Sequence, residues 1–158
     1  MMGVLLLWVL ACAFQDLRQR HISNRLLYPL MLLAAAWLPA TSQSLAGASI
    51  SSALTGAALA LALTIPGHIK GVLGGGDVKL MAAVGLCTGA MATLVLTALA
   101  ALWLVVWALA MARLPTRACG WLQRHAPGLV IQRGQFAYGP FVFLALGSLQ
   151  LLALLYGA

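Results

Sequence analysis

From Leu26 to Gly67 the chain runs without a charged side chain or a histidine, more than twice the roughly 20 residues that one helix needs to cross about 30 Å of hydrocarbon. In a bilayer such a run makes two spans, and the polar, flexible break at residues 39–52 supplies the turn between them. A second uncharged run, Leu80 to Ala112, is too long for one upright helix and slightly short for two. Composition agrees with a membrane setting: 63% of the residues are hydrophobic and 7% charged, against about a quarter charged in soluble domains. No linker or charge block divides the chain, so residues 1–158 are expected to form one membrane-embedded domain of the all-α class.

The basic residues choose between the possible topologies. A single helix over Leu80 to Ala112 would put Lys79 and Arg113 on opposite sides of the membrane. A turn near Thr88-Gly89 instead gathers Arg18, Arg20 and Arg25, Lys70 and Lys79, and Arg113, Arg117, Arg124 and Arg133 on one face, which the positive-inside rule makes cytoplasmic. This predicts a bundle of six transmembrane helices: Met2 to Gln15, Leu26 to Pro39, Ala53 to Pro66, Val78 to Thr88, Ala90 to Ala112 and Phe136 to Tyr156. Both termini are then periplasmic and the protein a multi-pass inner-membrane protein. The Gly85-x-x-x-Gly89 spacing and the small residues of the third span predict close helix packing. Arg113 to Arg133, with Trp121 and Leu122 among arginines, reads as a segment lying along the cytoplasmic surface or as a plain connector.

Val9-Leu10-Ala11-Cys12 resembles a lipoprotein cleavage box, but no Lys or Arg precedes the apolar run as a signal peptide requires. The first segment is read as a span. The three cysteines, Cys12, Cys87 and Cys119, have no C-x-x-C spacing and are expected as free thiols. The net charge of +7 sits in short clusters between apolar runs, so no nucleic-acid partner is expected. His21, His68 and His125 fall in predicted loops far apart, so neither a metal nor another cofactor is expected.

The chain contains no glutamate and two aspartates, Asp16 and Asp77. Each stands where an apolar span meets the cytoplasmic face, Asp16 ending the first and Asp77 opening the fourth. Acids at such positions are costly and are functional candidates, although caps and ion pairs are the usual uses of an interfacial Asp. If the two spans pack together, the carboxylates can share a proton as an aspartic-protease dyad does. One would polarise water and the other protonate the scissile group. Gly74-Gly75-Gly76 lets backbone approach Asp77 closely, and the helix N-terminus favours its anion. That points to Asp77 as base and Asp16, at a helix C-terminus, as acid. Lys79 lies about 200° around the helix from Asp77 and is expected to snorkel to the interface and serve positioning or leader binding. Other hydrolytic chemistries lack their residues: there is no H-E-x-x-H helix, and no serine in one span faces a histidine in another.

Asp16-Leu17-Arg18-Gln19-Arg20-His21-Ile22-Ser23-Asn24 resembles the D-x-R-x-x-x-I-P-N segment of bacterial prepilin peptidases (type IV leader peptidases). Gly74-Gly75-Gly76-Asp77-Val78-Lys79-Leu80 resembles their G-x-G-D-x-K-L segment, and Tyr138-Gly139-Pro140-Phe141 is similar to the P-[FY]-G-P-F element opening the last core helix. Ser23 and Ala137 stand where proline is usual. The resemblance implies six core helices, catalysis by Asp16 and Asp77, and Gly74, Gly76, Lys79, Asn24, Gly139 and Pro140 as substrate-binding or positioning residues. It implies a prepilin or pseudopilin precursor as substrate, its short basic leader cut after glycine at the cytoplasmic face. The methyltransferase segment of larger members, with its paired C-x-x-C motifs, is absent, as in the short Tad/Flp-pilus type, and no methylation is expected. Two other readings compete: a small ion-coupled transporter or channel subunit binding its ion at Asp16 and Asp77, which predicts carboxylates near the midplane, and a non-catalytic scaffold, which gives no reason for both acids.

Overall fold

The structure, a computed structural model, describes residues 2–19, 21–130 and 137–156, apart from the side chains of 116–118 and 156. It is an all-α membrane bundle. In chain order the helices are α1 (Met2–Gln19), α2 (Asn24–Thr41), α3 (Ile50–Ile69), α4 (Gly75–Thr88), α5 (Ala90–Arg113), α6 (Thr116–His125) and α7 (Gly139–Tyr156), with a single 3₁₀ turn, Pro127–Leu129, between the last two. Helices satisfy every backbone group within the segment, which the bilayer demands. Buried Thr64, Thr88 and Thr93 follow the same rule by donating to the carbonyls of Ala60, Val84 and Gly89 one turn earlier.

The turn expected near Thr88-Gly89 is there: α4 stops at Thr88, Gly89 adopts φ +92°, and α5 begins at Ala90. A β-carbon at Gly89 would lie 2.7 Å from Ala48 Cβ and 2.9 Å from Ser52 Oγ, so both the left-handed φ and the crowding require glycine. Gly85 and Gly56 then let α4 and α3 touch backbone to backbone, since a β-carbon on Gly85 would meet the Gly56 carbonyl oxygen at 2.5 Å. This is the close small-residue packing that the spacing predicts. The loop between α2 and α3 closes over the same end, Ala46 N–H donating to the Cys87 carbonyl at 3.0 Å and Ala90 N–H to Ser52 Oγ at 3.1 Å.

Three of the six predicted spans reach crossing length and hydropathy on their own, α1, α3 and α5. The other three fall short for different reasons. Helix α7 is apolar but shorter, and α2 opens on Asn24 and Arg25. Helix α4 has 14 residues, about 21 Å, and most of them are buried, so its surroundings are protein. Lipid-facing surface lies on the outer helices instead, with Leu102, Val105 and Leu109 of α5, Leu7 of α1 and Leu154 of α7 exposed, while both acids are buried. That inversion is a membrane protein's.

Helices α1 to α5 begin or end further out at the charged end than the sequence spacing predicts, whereas α7 begins at Gly139, three residues inside the predicted start at Phe136. Helix α1 runs to Gln19 and α4 starts at Gly75, so Asp16 sits in a last turn and Asp77 in a first turn. His68 and His125, expected in loops, occupy the final turns of α3 and α6. The described basic residues Arg18, Arg25, Lys70, Lys79, Arg113 and Arg124 occur at the ends of α1, α3, α5 and α6, the starts of α2 and α4, or beside them, and so gather at one end of the bundle. Arg20, Arg133, Phe136 and the side chain of Arg117 lie outside the described residues. Cys12 and Cys87 are buried free thiols and Cys119 is half-buried and free.

Candidate active site

Four chain segments meet at the charged end. The last turn of α1 carries Asp16, the first turn of α4 carries Asp77, residues 137–140 open α7, and the 3₁₀ turn lies across the end of α1. Asp16 and Asp77 are 2% and 4% exposed, although 60 residues of intervening chain separate them. Their charges are close enough to act on each other.

Gly139 brings the two together. Its N–H donates to Asp16 Oδ2 at 2.9 Å and is near enough to Asp77 to act on that carboxylate as well. A β-carbon at Gly139 would stand 3.1 Å from Asp16 Oδ2 and 3.4 Å from Ala13 Cα, so only glycine seats α7 this closely on α1. Pro140 follows, buried at the second position of α7, where a missing N–H costs nothing. On the other acid, Gly74 N–H donates to Asp77 Oδ2 at 3.1 Å. Asp77 Oδ1 is buried without a hydrogen-bond partner, leaving one acceptor of the pair open.

The remaining predicted residues are placed around this pair. Gly76 abuts the loop between α1 and α2, where its β-carbon would meet Ile22 Cβ at 3.0 Å. Lys79 Nζ donates to Asn24 Oδ1 at 3.0 Å and lies 5.9 Å from the Tyr28 ring centre, tying α4 to the start of α2 on the side away from Asp77. Both acids sit at a helix end, not halfway along the bundle as ion binding at the midplane predicts. Among the described residues no three His, Cys, Asp or Glu side chains converge.

Several contributors escape the sequence reading. Tyr138 is buried beside the pair, and burial, with the nearby Asp77 charge adding to it, pushes its hydroxyl up to about 12. Gly128 packs on the turn bearing Asp16, its β-carbon position 2.8 Å from the Asp16 carbonyl oxygen. The Pro127-Gly128 dipeptide was the available signal, a turn marker inside the basic segment. Gln15 Oε1 accepts the Ser23 N–H at 3.1 Å and Gly128 O accepts the Ala137 N–H at 3.1 Å. Both donors stand where the resemblance puts proline, which has no N–H to give.

The type IV leader peptidase family matches residues 3–109. The chain belongs to that family. Membership carries a peptidase role and a membrane setting, and the matched region holds Asp16, Asn24, Gly74, Gly76, Asp77 and Lys79. Gly139 and Pro140 lie beyond it. No curated protein and no solved structure matches the chain.

Proposed function

We propose that this leader peptidase is an aspartic endopeptidase in which Asp16 and Asp77 hold one proton between them and cleave the short basic leader of prepilin-like precursors of the Tad/Flp type at the cytoplasmic face of the inner membrane. The observation that carries the reading is a convergence: the only two carboxylate side chains of the chain, from α1 and α4, are both buried beside the first turn of α7, whose Gly139 N–H donates to Asp16.

Two like charges this close cannot both ionise at ordinary cost, and a single shared proton leaves one carboxylate as base and one carboxylic acid as donor. The base draws a proton from water, the resulting hydroxide adds to the scissile carbonyl, and the acid protonates the carbonyl oxygen. Collapse returns one hydroxyl proton of the tetrahedral intermediate to the carboxylate that had acted as acid and expels the amine, which takes up the proton that the base gained. The α4 N-terminus favours the Asp77 anion and the C-terminal end of α1 disfavours that of Asp16. The α7 N-terminus opposes the second effect, because its first amide donates to Asp16. The pair therefore titrates as a unit, with Asp77 the base in this reading. Lys79, Asn24, Gly74, Gly76 and Pro140 position substrate and acids, and the whole chain serves as one catalytic domain without methylation activity.

The test is leader release by the protein in vesicles supplied with a precursor whose basic leader ends in glycine, product termini being read by mass spectrometry. Asp16→Asn and Asp77→Asn each lose all cleavage while remaining inserted. Near-normal processing by either variant excludes the dyad.

A further inference from the structure

The site leaves α6 unexplained. It is the one described helix whose average residue is polar, and the most amphipathic; at 10 residues, about 15 Å, it cannot cross a bilayer. Its outer side carries Trp121, 60% exposed, with His125 stacked on the indole at 4.6 Å between ring centres, and exposed Arg124. His125 Nδ1 also lies 3.0 Å from the Trp121 carbonyl oxygen, so the two rings are displayed as one unit with Arg124 beside them. The chain's two acidic side chains are both buried, and no acid on the protein surface answers this charge. Arg113 and Arg18 bring more positive charge to the same end.

We infer that α6 docks on an anionic phospholipid surface, the leaflet at the basic end of the bundle, with Trp121 seated at headgroup level and Arg124 on the lipid phosphates. An indole beside a cation is the pairing that a headgroup layer selects, and an exposed basic helix without acidic neighbours is complementary to an acidic bilayer. The position matters because α6 leads directly into the 3₁₀ turn, which is fastened to α1 by Gly128 and to α5 by the Trp107 Nε1 to Leu129 carbonyl bond of 2.9 Å. A docked α6 thus lies one short connection from the turn that carries Asp16.

Gly120 is the place to put a reporter, since nothing lies within 4 Å of its β-carbon position. Gly120→Cys in a Cys119→Ser background, labelled with bimane and reconstituted in vesicles, is challenged with brominated phospholipid and with iodide present on both faces. In phosphatidylcholine containing phosphatidylglycerol the lipid quenches and iodide does not; in phosphatidylcholine alone, or at high salt, iodide regains access. Arg124→Gln lowers the ratio of docked to undocked label about five-fold, the effect of one basic residue at an acidic surface, and Arg124→Lys restores it. Lipid quenching that is equal in both vesicle types overturns the inference, as does iodide access in every vesicle. Protection that appears only on adding the precursor also overturns it, because α6 would then dock on protein.

Discussion

Gly139→Ala separates the contact that assembles the site from the carboxylates themselves. The added methyl would sit 3.1 Å from Asp16 Oδ2 and 3.3 Å from Asp16 Cβ, so the acid and the start of α7 must part by a few tenths of an ångström. That displacement lengthens a 2.9 Å bond towards the limit at which such bonds weaken. A hydrogen bond to a charged group contributes about 1.5–3 kcal/mol, and losing roughly half of it costs about 0.75–1.5 kcal/mol, a roughly four- to thirteen-fold fall in kcat/KM. Stability falls by about 0–2.6 kcal/mol, the overpacking cost of about 1–3 kcal/mol less the gain of about 0.4–1 kcal/mol when glycine becomes alanine. Initial rates of leader release and a detergent melting curve, measured on one preparation, read both quantities. Wild-type kcat/KM in a well-folded Gly139→Ala protein would refute the claim that this amide organises the pair. A loss as complete as that of Asp77→Asn would show the acids driven apart, with more motion than the geometry allows.

The other expectations follow from neighbouring contacts. Lys79→Met weakens processing or insertion without abolishing cleavage, and Asn24→Ala gives a similar loss that does not add to it, since the two share one bond of 3.0 Å; full additivity of rates in the double variant refutes the pairing. Ser23→Pro is close to neutral in melting temperature, because Ser23 already has φ −71°, within proline's range, and the stiffer loop offsets the lost bond to Gln15; a fall equivalent to more than about 2 kcal/mol would show that bond to be indispensable. For topology, Gln43→Cys is the probe of the α2–α3 loop, since Ser44 is buried and Gln43 exposed; it reacts with an impermeant maleimide from the periplasmic side and Lys70→Cys from the cytoplasmic side, and the reverse pattern overturns the orientation.

The bundle was legible because lipid restricts the choices so severely. Uncharged runs, nine basic residues and Gly89 mark the apolar helices and the hairpin between α4 and α5, and the observed turn at Gly89 is the one that charge placement required. Helix ends were less legible. Asp16 sits inside α1 because Leu17, Arg18 and Gln19 continue the helix beyond the apolar run, and polar residues at a membrane edge are as compatible with helix as with loop. Trp121 and the arginines around it mark a surface segment, whereas the sequence leaves open whether Thr116–His125 within it is a helix.

The site was legible to the extent that it is made of side chains. Two acids in a chain with no others, one after three glycines, identify themselves by scarcity. The parts that went unread are backbone: an N–H from Gly139 on Asp16, one from Gly74 on Asp77, one from Ser23 on Gln15 and one from Ala137 on Gly128. A sequence spells every amide alike, so their direction is known only once α1, α4 and α7 are placed together. The same limit explains the helix fields. Judged along its own helix, Asp16 stands at the unfavourable end, yet it accepts the N–H that opens α7, which enters the site 123 residues later in the chain. Each carboxylate thus accepts one N–H from the start of a helix on Oδ2, and in the proposed mechanism a pair held in this way can exchange the roles of acid and base between the addition and collapse steps of a single cleavage.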